Sequence, residues 1–436
     1  MDSASTPGVS AMALLDRRSL ARRAWHPSVL HYVTLAVSFA LILIIGRDQW
    51  FFGDDWAILV PRADGNILVP HVGHWTLAPS LVFQLLRNWL GLGSYLPFLM
   101  LAVIAHLAVA HLVWRILGRV GVNRWLATLL SLFVMLLGGA SENIFWAFQF
   151  GFMGAIALGL MVLILFDRAR LNVPLIVVLS VLAPTFSGTA IPVLAAAAIV
   201  GLIRHGWWKT VLLLLPTTIS YGTWYVLVAR SYPSPPAGIT SIRDVAFFLL
   251  YGGAMYAAGL GRSLPWIGLG VIPAVTTAWW FFATIRRGLK SAAVAVYALV
   301  IGSVVFIALT SYSRMSFGIS GATAERYAYL TIVLLLPAIG LQLTYVVTRW
   351  RKAFVVMAAA LGTLVIFNTL VLAVEARAQA TIEMQSKQRV DTRLDALIVA
   401  PEDPALLHSA PDAKWSPDLL GSDLLTLYRQ GEFPKP

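Results

Sequence analysis

The sequence predicts an all-α polytopic membrane bundle, and three observations predict it. Apolar runs of about 18 residues or more recur from residue 29 to residue 374, each long enough to cross a hydrocarbon core of roughly 30 Å as a helix. The chain is 59% hydrophobic and only 12% charged, with a mean hydropathy of +0.78; soluble domains carry about 25% charge, and a water-soluble fold cannot hide this much apolar surface. The runs are continuous rather than alternating, the pattern of spanning helices and not of barrel strands.

In order, the apolar windows give about eleven spans, near residues 29–46, 94–117, 125–140, 148–166, 171–186, 188–203, 210–229, 266–285, 291–310, 328–347 and 353–374. The first run follows Arg17, Arg18, Arg22 and Arg23, as a signal peptide's would. It has full span length and no small-residue cleavage site, so it reads as a retained span. With the N-terminus in the cytoplasm, Arg115, Arg119, Arg124, Arg168, Arg170, Arg204, Lys209, Arg286, Arg287, Lys290, Arg349, Arg351 and Lys352 also fall inside. They outnumber Arg47, Arg62, Arg87, Arg230, Arg243, Arg262, Arg314 and Arg326 outside, in accord with the positive-inside rule.

This parity requires that residues 77–90 and 245–260 do not cross. The first is interrupted by Arg87 and Asn88, and the second is rich in Gly and Ala and ends at Gly261-Arg262; both are expected as interfacial or re-entrant elements in the outer loops. The organisation is then a cytoplasmic segment 1–28, a transmembrane domain 29–374 with a first outer loop 47–93, and an exported polar tail 375–436. The tail starts helical (376–399) and becomes looser where prolines gather and it covers the outer face. No internal repeat supports an inverted-repeat transporter.

A net charge of +12 would suggest nucleic acid if it lay on one soluble surface. Here the basic residues sit in short loops between spans, so they set topology and no nucleic-acid partner is expected. The absence of cysteine excludes disulfides, cysteine–zinc sites and thiol nucleophiles. The acids sort the other way: Asp2, Asp16 and Asp167 lie inside, whereas Asp48, Asp54, Asp55, Asp64, Glu142, Asp244 and Glu325 lie outside. Acids contribute little to topology, so this asymmetry points to chemistry at the outer face.

Three outer loops carry candidate groups. In Gly53-Asp54-Asp55-Trp56, adjacent carboxylates repel, which raises the pKa of one and suits it to act as a general base; a plain helix cap needs one acid, not two. His71 and His74, three apart, suit hydrogen bonds to a sugar or phosphate. With a carboxylate such as Asp55, His74 is a candidate ligand for a divalent metal ion. Glu142, Trp146 and Gln149 combine an acid, an aromatic face and an amide, the makeup of sugar sites. Ser187-Gly188-Thr189 suits either close approach to a ligand or a tight turn. Arg314 and Arg326, with Tyr327, run against the charge bias of the outer face and need an anion. A lipid phosphate or pyrophosphate, bound bidentately, meets that need.

Together these residues resemble the GT-C superfamily of membrane glycosyltransferases, over most of residues 29–374. The resemblance rests on an inside N-terminus, the acidic motif Gly53-Asp54-Asp55-Trp56 in the first external loop, many spans and the late Arg326-Tyr327 pair. It implies transfer of a sugar from a polyprenyl-phosphate donor to a glycan, protein or lipid acceptor at the outer face of the cytoplasmic membrane, in cell-envelope glycan biosynthesis. It also implies that Asp54 or Asp55 is the base on the acceptor hydroxyl. A single displacement would invert the anomeric carbon. The large soluble domain of some relatives has no counterpart here beyond the modest tail. The rival reading is a multi-span transporter or lipid flippase, which predicts charges near the midplane and broken helices.

Overall fold

The structure, a computed structural model, describes residues 26–60, 66–232, 239–286 and 291–434. Asp2, Asp16, Arg17, Arg18, Arg22, Arg23, Arg62, Asp64, Arg287 and Lys290, to which the sequence assigns sides of the membrane, lie outside the described residues, as does most of segment 1–28.

Helices occupy every apolar window. In order they are α1 (Pro27–Ile45), α2 (Asp54–Leu59), α3 (Leu77–Leu90), α4 (Leu96–Arg119), α5 (Arg124–Met135), α6 (Ser141–Phe145), α7 (Phe150–Phe166), α8 (Val173–Phe186), α9 (Ala190–His205), α10 (Trp207–Leu227), α11 (Ile242–Gly261), α12 (Val271–Arg286), α13 (Val294–Arg314), α14 (Glu325–Arg349), α15 (Ala353–Val399), α16 (Pro404–Leu407) and α17 (Gly421–Arg429). Among the described residues there is no strand beyond one isolated bridge, His71 to His74. Among the described residues nine helical segments are long and apolar enough to cross a bilayer, or ten if α5 and the bent segment Gly138–Phe145 count as one; α8 and α9 are shorter apolar helices.

The window at 125–140 is not one straight span. It breaks after α5 and turns by 48°; at the break Gly138 and Gly139 pack against the Asn368 carbonyl of α15 and the Arg262 backbone, where no side chain fits. At the centre α7 is apolar on all sides and largely buried, as a core helix must be. Its Gly154 and Gly159 admit Phe186 of α8 and Val193 of α9.

The two ends of the bundle differ in chemistry. At one end Asp167 joins α4 to α9, accepting from Arg119 (3.1 Å) and Arg204 (2.9 Å); nearby, the Asn123 amide donates to Thr344 of α14 (3.1 Å). The opposite end gathers residues 46–56, 71–76, 138–149, 187–189 and 311–327, the loops expected outside.

Two further elements meet that second end. The 14-residue α3 packs Phe83 against Phe98 and Phe150, at the starts of α4 and α7, and leaves Leu81, Leu85 and Trp89 exposed. α11 meets the length and apolarity of a crossing helix. It meets the ends of α13 and α14 through Gly252 beside Ser311 and Arg262 paired with Glu325 (3.1 Å), and between these contacts it reaches deeper, where Tyr256 Oη meets Ser303 Oγ and Gly259 packs on Thr331.

α15 is a single helix of 47 residues, about 70 Å long. Its apolar part ends near Val374, and the remainder projects past the loop-bearing end. The tail beyond it is not loose. It folds back through α16 and α17, held by Arg389 to Asp412 (2.9 Å) and by Arg393 donating to the Leu406 carbonyl (3.0 Å).

Candidate active site

Gly53, in a left-handed conformation (φ +54°), turns the chain into α2 and puts Asp54 and Asp55 in its first turn, where the helix dipole favours acids. Neighbours on a helix point about 100° apart, so the two carboxylates part company.

Asp55 turns inward and is fully buried. Its Oδ1 accepts from the Phe148 amide (2.9 Å), and its Oδ2 accepts from the Phe52 amide (3.3 Å) and lies 3.2 Å from the Tyr95 hydroxyl. Burial pushes its pKa up to about 8, against the downward pull of those hydrogen bonds; the nearby Asp54 adds to the rise. Tyr95 joins the two loops: its hydroxyl donates toward Asp55 Oδ2, lies 3.3 Å from the Phe145 carbonyl and accepts from the Ala147 amide (2.7 Å). Asp55 thus ties the acidic loop to residues 145–148.

Asp54 instead faces a cavity of about 360 Å³, lined also by Val72, His74, Trp146, Phe148, Gln149, Phe152, Arg314, Phe317 and Arg326. A second chamber of about 210 Å³ shares Val72, His74, Phe152, Arg314 and Arg326 with it. It reaches into the bundle past Asn143, Thr189, Ser313, Tyr327 and Tyr329.

His71 and His74 face each other across a tight turn, each amide donating to the other's carbonyl (3.0 and 2.9 Å). Val72 (φ +49°) and Gly73 (φ +81°) at its centre are both left-handed, as a type I′ turn requires. For a β-branched residue that conformation is strained, and Arg314 secures it by donating to the Val72 carbonyl (3.1 Å). His71 Nε2 approaches Asp54 Oδ1 to 3.1 Å, at an angle too poor for a full hydrogen bond. His74 Nδ1 lies 3.4 Å from Ser187 Oγ, and Gly188 makes the room: a Cβ there would sit 3.0 Å from the ring. Burial, aided by Arg314 and His71, pushes the His74 pKa down to about 4, so the ring is neutral at pH 7.

The two arginines differ. Arg326 is held by Glu142 (2.8 Å) and lies over the Tyr327 ring (5.3 Å). Glu325 sets that pair, accepting from Arg262, from Ser141 Oγ (2.7 Å) and from the Glu142 amide (3.3 Å). Arg314 has the Val72 carbonyl and the Phe317 face (5.7 Å) but no carboxylate partner among the described residues. Trp146 donates to the Phe52 carbonyl (3.2 Å), and Gln149 accepts from Asn143 (3.2 Å), which aligns both along the cavity wall.

The predicted residues Asp54, His74, Trp146, Gln149, Arg314, Arg326 and Tyr327 therefore line connected chambers. His71 and Glu142 stand behind Asp54 and Arg326, and Asp55 stands apart from the cavity. Among the described residues no three His, Asp or Glu side chains gather as metal ligands would, and Asp55, paired with His74 as a candidate ligand, commits its oxygens to Phe52, Phe148 and Tyr95. The sequence reading missed His106 and Tyr329 beneath the inner chamber. His106 Nε2 lies 3.0 Å from the Met135 carbonyl and so carries the proton, leaving Nδ1 to accept from the Tyr329 hydroxyl (2.9 Å). A lone histidine inside an apolar run was the available signal. No family model, curated protein or solved structure matches the chain.

Proposed function

We propose that this protein is a glycosyltransferase of the GT-C type. It moves a sugar from a polyprenyl-phosphate donor to an acceptor hydroxyl at the outer face of the cytoplasmic membrane, with inversion. One observation carries the reading: a carboxylate, Asp54, and two guanidinium groups, Arg314 and Arg326, line a single cavity at the loop-bearing end of the bundle. The basic residues Arg119 and Arg204 cluster at the opposite end, which the positive-inside rule assigns to the cytoplasm. On this topology α3 and α11 do not cross the membrane.

The chemistry follows from the charges. Asp54 takes the acceptor's proton as the hydroxyl attacks the anomeric carbon; the sugar passes through an oxocarbenium-like state, and the leaving phosphate is stabilised by the arginines. Arg314, with no carboxylate to neutralise it, is the first anion contact. Trp146 and Gln149 offer the sugar or the acceptor a stacking face and an amide. Neutral His74 is a hydrogen-bond partner at the junction of the two chambers.

The test uses membranes carrying wild type or Asp54→Asn, given a panel of radiolabelled polyprenyl-phosphate sugars with glycan, lipid and protein acceptors. Loss of a general base costs roughly 10²–10⁴ in rate. Equal transfer by Asp54→Asn removes Asp54 from the chemistry; no transfer by wild type across the whole panel favours a transporter or flippase.

A further inference from the structure

The six-residue helix that bears Asp54 is gripped at both ends by the chain's last sixty residues. At its start, the Gly53 amide donates to the Trp415 carbonyl. At its finish, the Leu59 carbonyl accepts from buried Arg87, whose Nε lies 3.0 Å from Glu432 Oε2 as an ion pair too poorly aligned for a hydrogen bond. The Glu432 carbonyl in turn accepts from the Leu92 amide (2.6 Å).

The strand of loop leading into α2 is held as well. Glu383, fully buried on the projecting part of α15, accepts from the Trp50 amide through one oxygen (2.7 Å) and from Gln379 through the other (2.7 Å). Gln49 donates to the Ala376 carbonyl (2.7 Å). The Trp50 ring meets Phe433 on one side and Lys387 on another, and Phe52 meets Trp415. By contrast, neither cavity chamber is lined by any residue beyond Leu330. The tail therefore touches the support of Asp54 without touching the space a substrate would fill.

We propose that residues 376–434 form a built-in clamp that sets the position of Asp54, with Glu383 and Glu432 as its positioning residues. The arginine-lined chambers stand independently of it. This rests on the reading of Asp54 as the base. It assigns to the tail a role in turnover and none in holding the donor phosphate, which is a division that a merely structural contact does not predict. Freed from the tail, α2 keeps its buried Trp56, Ile58 and Leu59, the Asp55 anchor and the Arg87 bond, but the turn at Gly53 that leads into it loses its main-chain hold, and Asp54 loses the fixed distance to the acceptor hydroxyl that proton transfer requires.

The experiment uses full-length protein in nanodiscs: wild type, Glu383→Ala, Glu383→Gln and Glu432→Ala, the last loosening the opposite end of α2 should Glu383→Ala fail to fold. Three quantities are read for each: amide hydrogen exchange of the segment 47–60, the dissociation constant for dodecyl phosphate, and kcat and KM for sugar transfer. Glu383→Ala and Glu432→Ala are expected to speed exchange of 47–60 at least tenfold and lower kcat at least tenfold. Dodecyl phosphate affinity and the donor KM should stay within about threefold, and Glu383→Gln, which keeps the acceptor for the Trp50 amide, should restore exchange and kcat. Unchanged exchange in both alanine variants overturns the clamp, as does faster exchange with unchanged kcat, or a loss that falls on KM and phosphate affinity. An active Asp54→Asn protein would instead sink the base assignment, while the exchange data would still report whether the tail holds the loop.

Discussion

Replacing Asp55 by asparagine should make the protein's stability less sensitive to pH, in a direction opposite to that of an ordinary surface carboxylate. The Asp55 pKa is pushed from about 4 in the unfolded chain up to about 8 by burial. Between these values the folded state holds a proton that the unfolded state has released, so stability contributed by the neutral acid is complete below about pH 4 and is lost as pH rises toward 8. Each pH unit across the window corresponds to about 1.4 kcal/mol, and the interval from pH 5 to pH 7 therefore costs the wild type about 3 kcal/mol, to order of magnitude. The asparagine amide would keep an acceptor for the Phe148 amide and has no proton to lose. His74 works against this trend: its lowered pKa makes stability rise with pH between about 4 and 6.5, but it is common to both proteins and cancels in the comparison. The assay is reversible unfolding in mixed micelles titrated with SDS at pH 5, 6 and 7. The stability of Asp55→Asn relative to wild type should grow at each step. A difference that stays constant, or that shrinks as pH rises, would refute the picture of a buried neutral acid and return Asp55 to the list of ionised groups.

Arg314→Gln should weaken dodecyl phosphate binding by roughly 10–100-fold, the worth of a charge-assisted hydrogen bond, measured by isothermal titration; a change below about threefold would remove Arg314 from the headgroup site. Glu142→Gln releases Arg326 from its 2.8 Å partner and should tighten the same ligand several-fold, whereas weaker binding would show that Glu142 acts chiefly to aim the guanidinium. His74 ring nitrogens, followed by ¹⁵N NMR, should remain neutral down to about pH 5, and a midpoint near 6.5 would contradict the burial that sets its pKa.

Most of the helical architecture was legible because it depends on run length, which is local. The window at 328–347 falls inside α14, that at 94–117 matches α4 to within two residues at each end, and the interruption at Arg87-Asn88 coincides with a helix too short to cross. The break at Gly138-Gly139 was not legible, since the groups packed on those glycines, the Asn368 carbonyl and the Arg262 backbone, are both distant in sequence. The same limit applies to the site. Residue type alone nominated Asp54, His74, Trp146, Gln149, Arg314, Arg326 and Tyr327. It had no means of dividing Asp54 from Asp55, because that division depends on amides at Phe52 and Phe148 and on Tyr95. The polar tail was recognised, but its composition reads as a solvated end, and its grip on Gly53 and Leu59 is a matter of main-chain partners that carry no sequence signature.

The acids gathered at the loop-bearing end, first a hint of chemistry, resolve into different physical roles. Glu325 neutralises Arg262, Glu142 neutralises Arg326, and Asp55 is a buried acid that fastens one loop to another. These groups would be needed to fold this end of the bundle whatever it does. Asp54 and Arg314 are different. Among the described residues Asp54 has no Arg or Lys partner, only the poorly aligned His71, and Arg314 has only a backbone carbonyl and an aromatic face. Leaving opposite charges unpaired on the walls of one cavity forgoes stabilisation that Glu142 and Arg326 obtain a few residues away. Folding has no use for that arrangement, whereas a reaction that forms a phosphate leaving group beside a hydroxyl losing its proton needs a cation and a base held apart across the space the sugar will occupy.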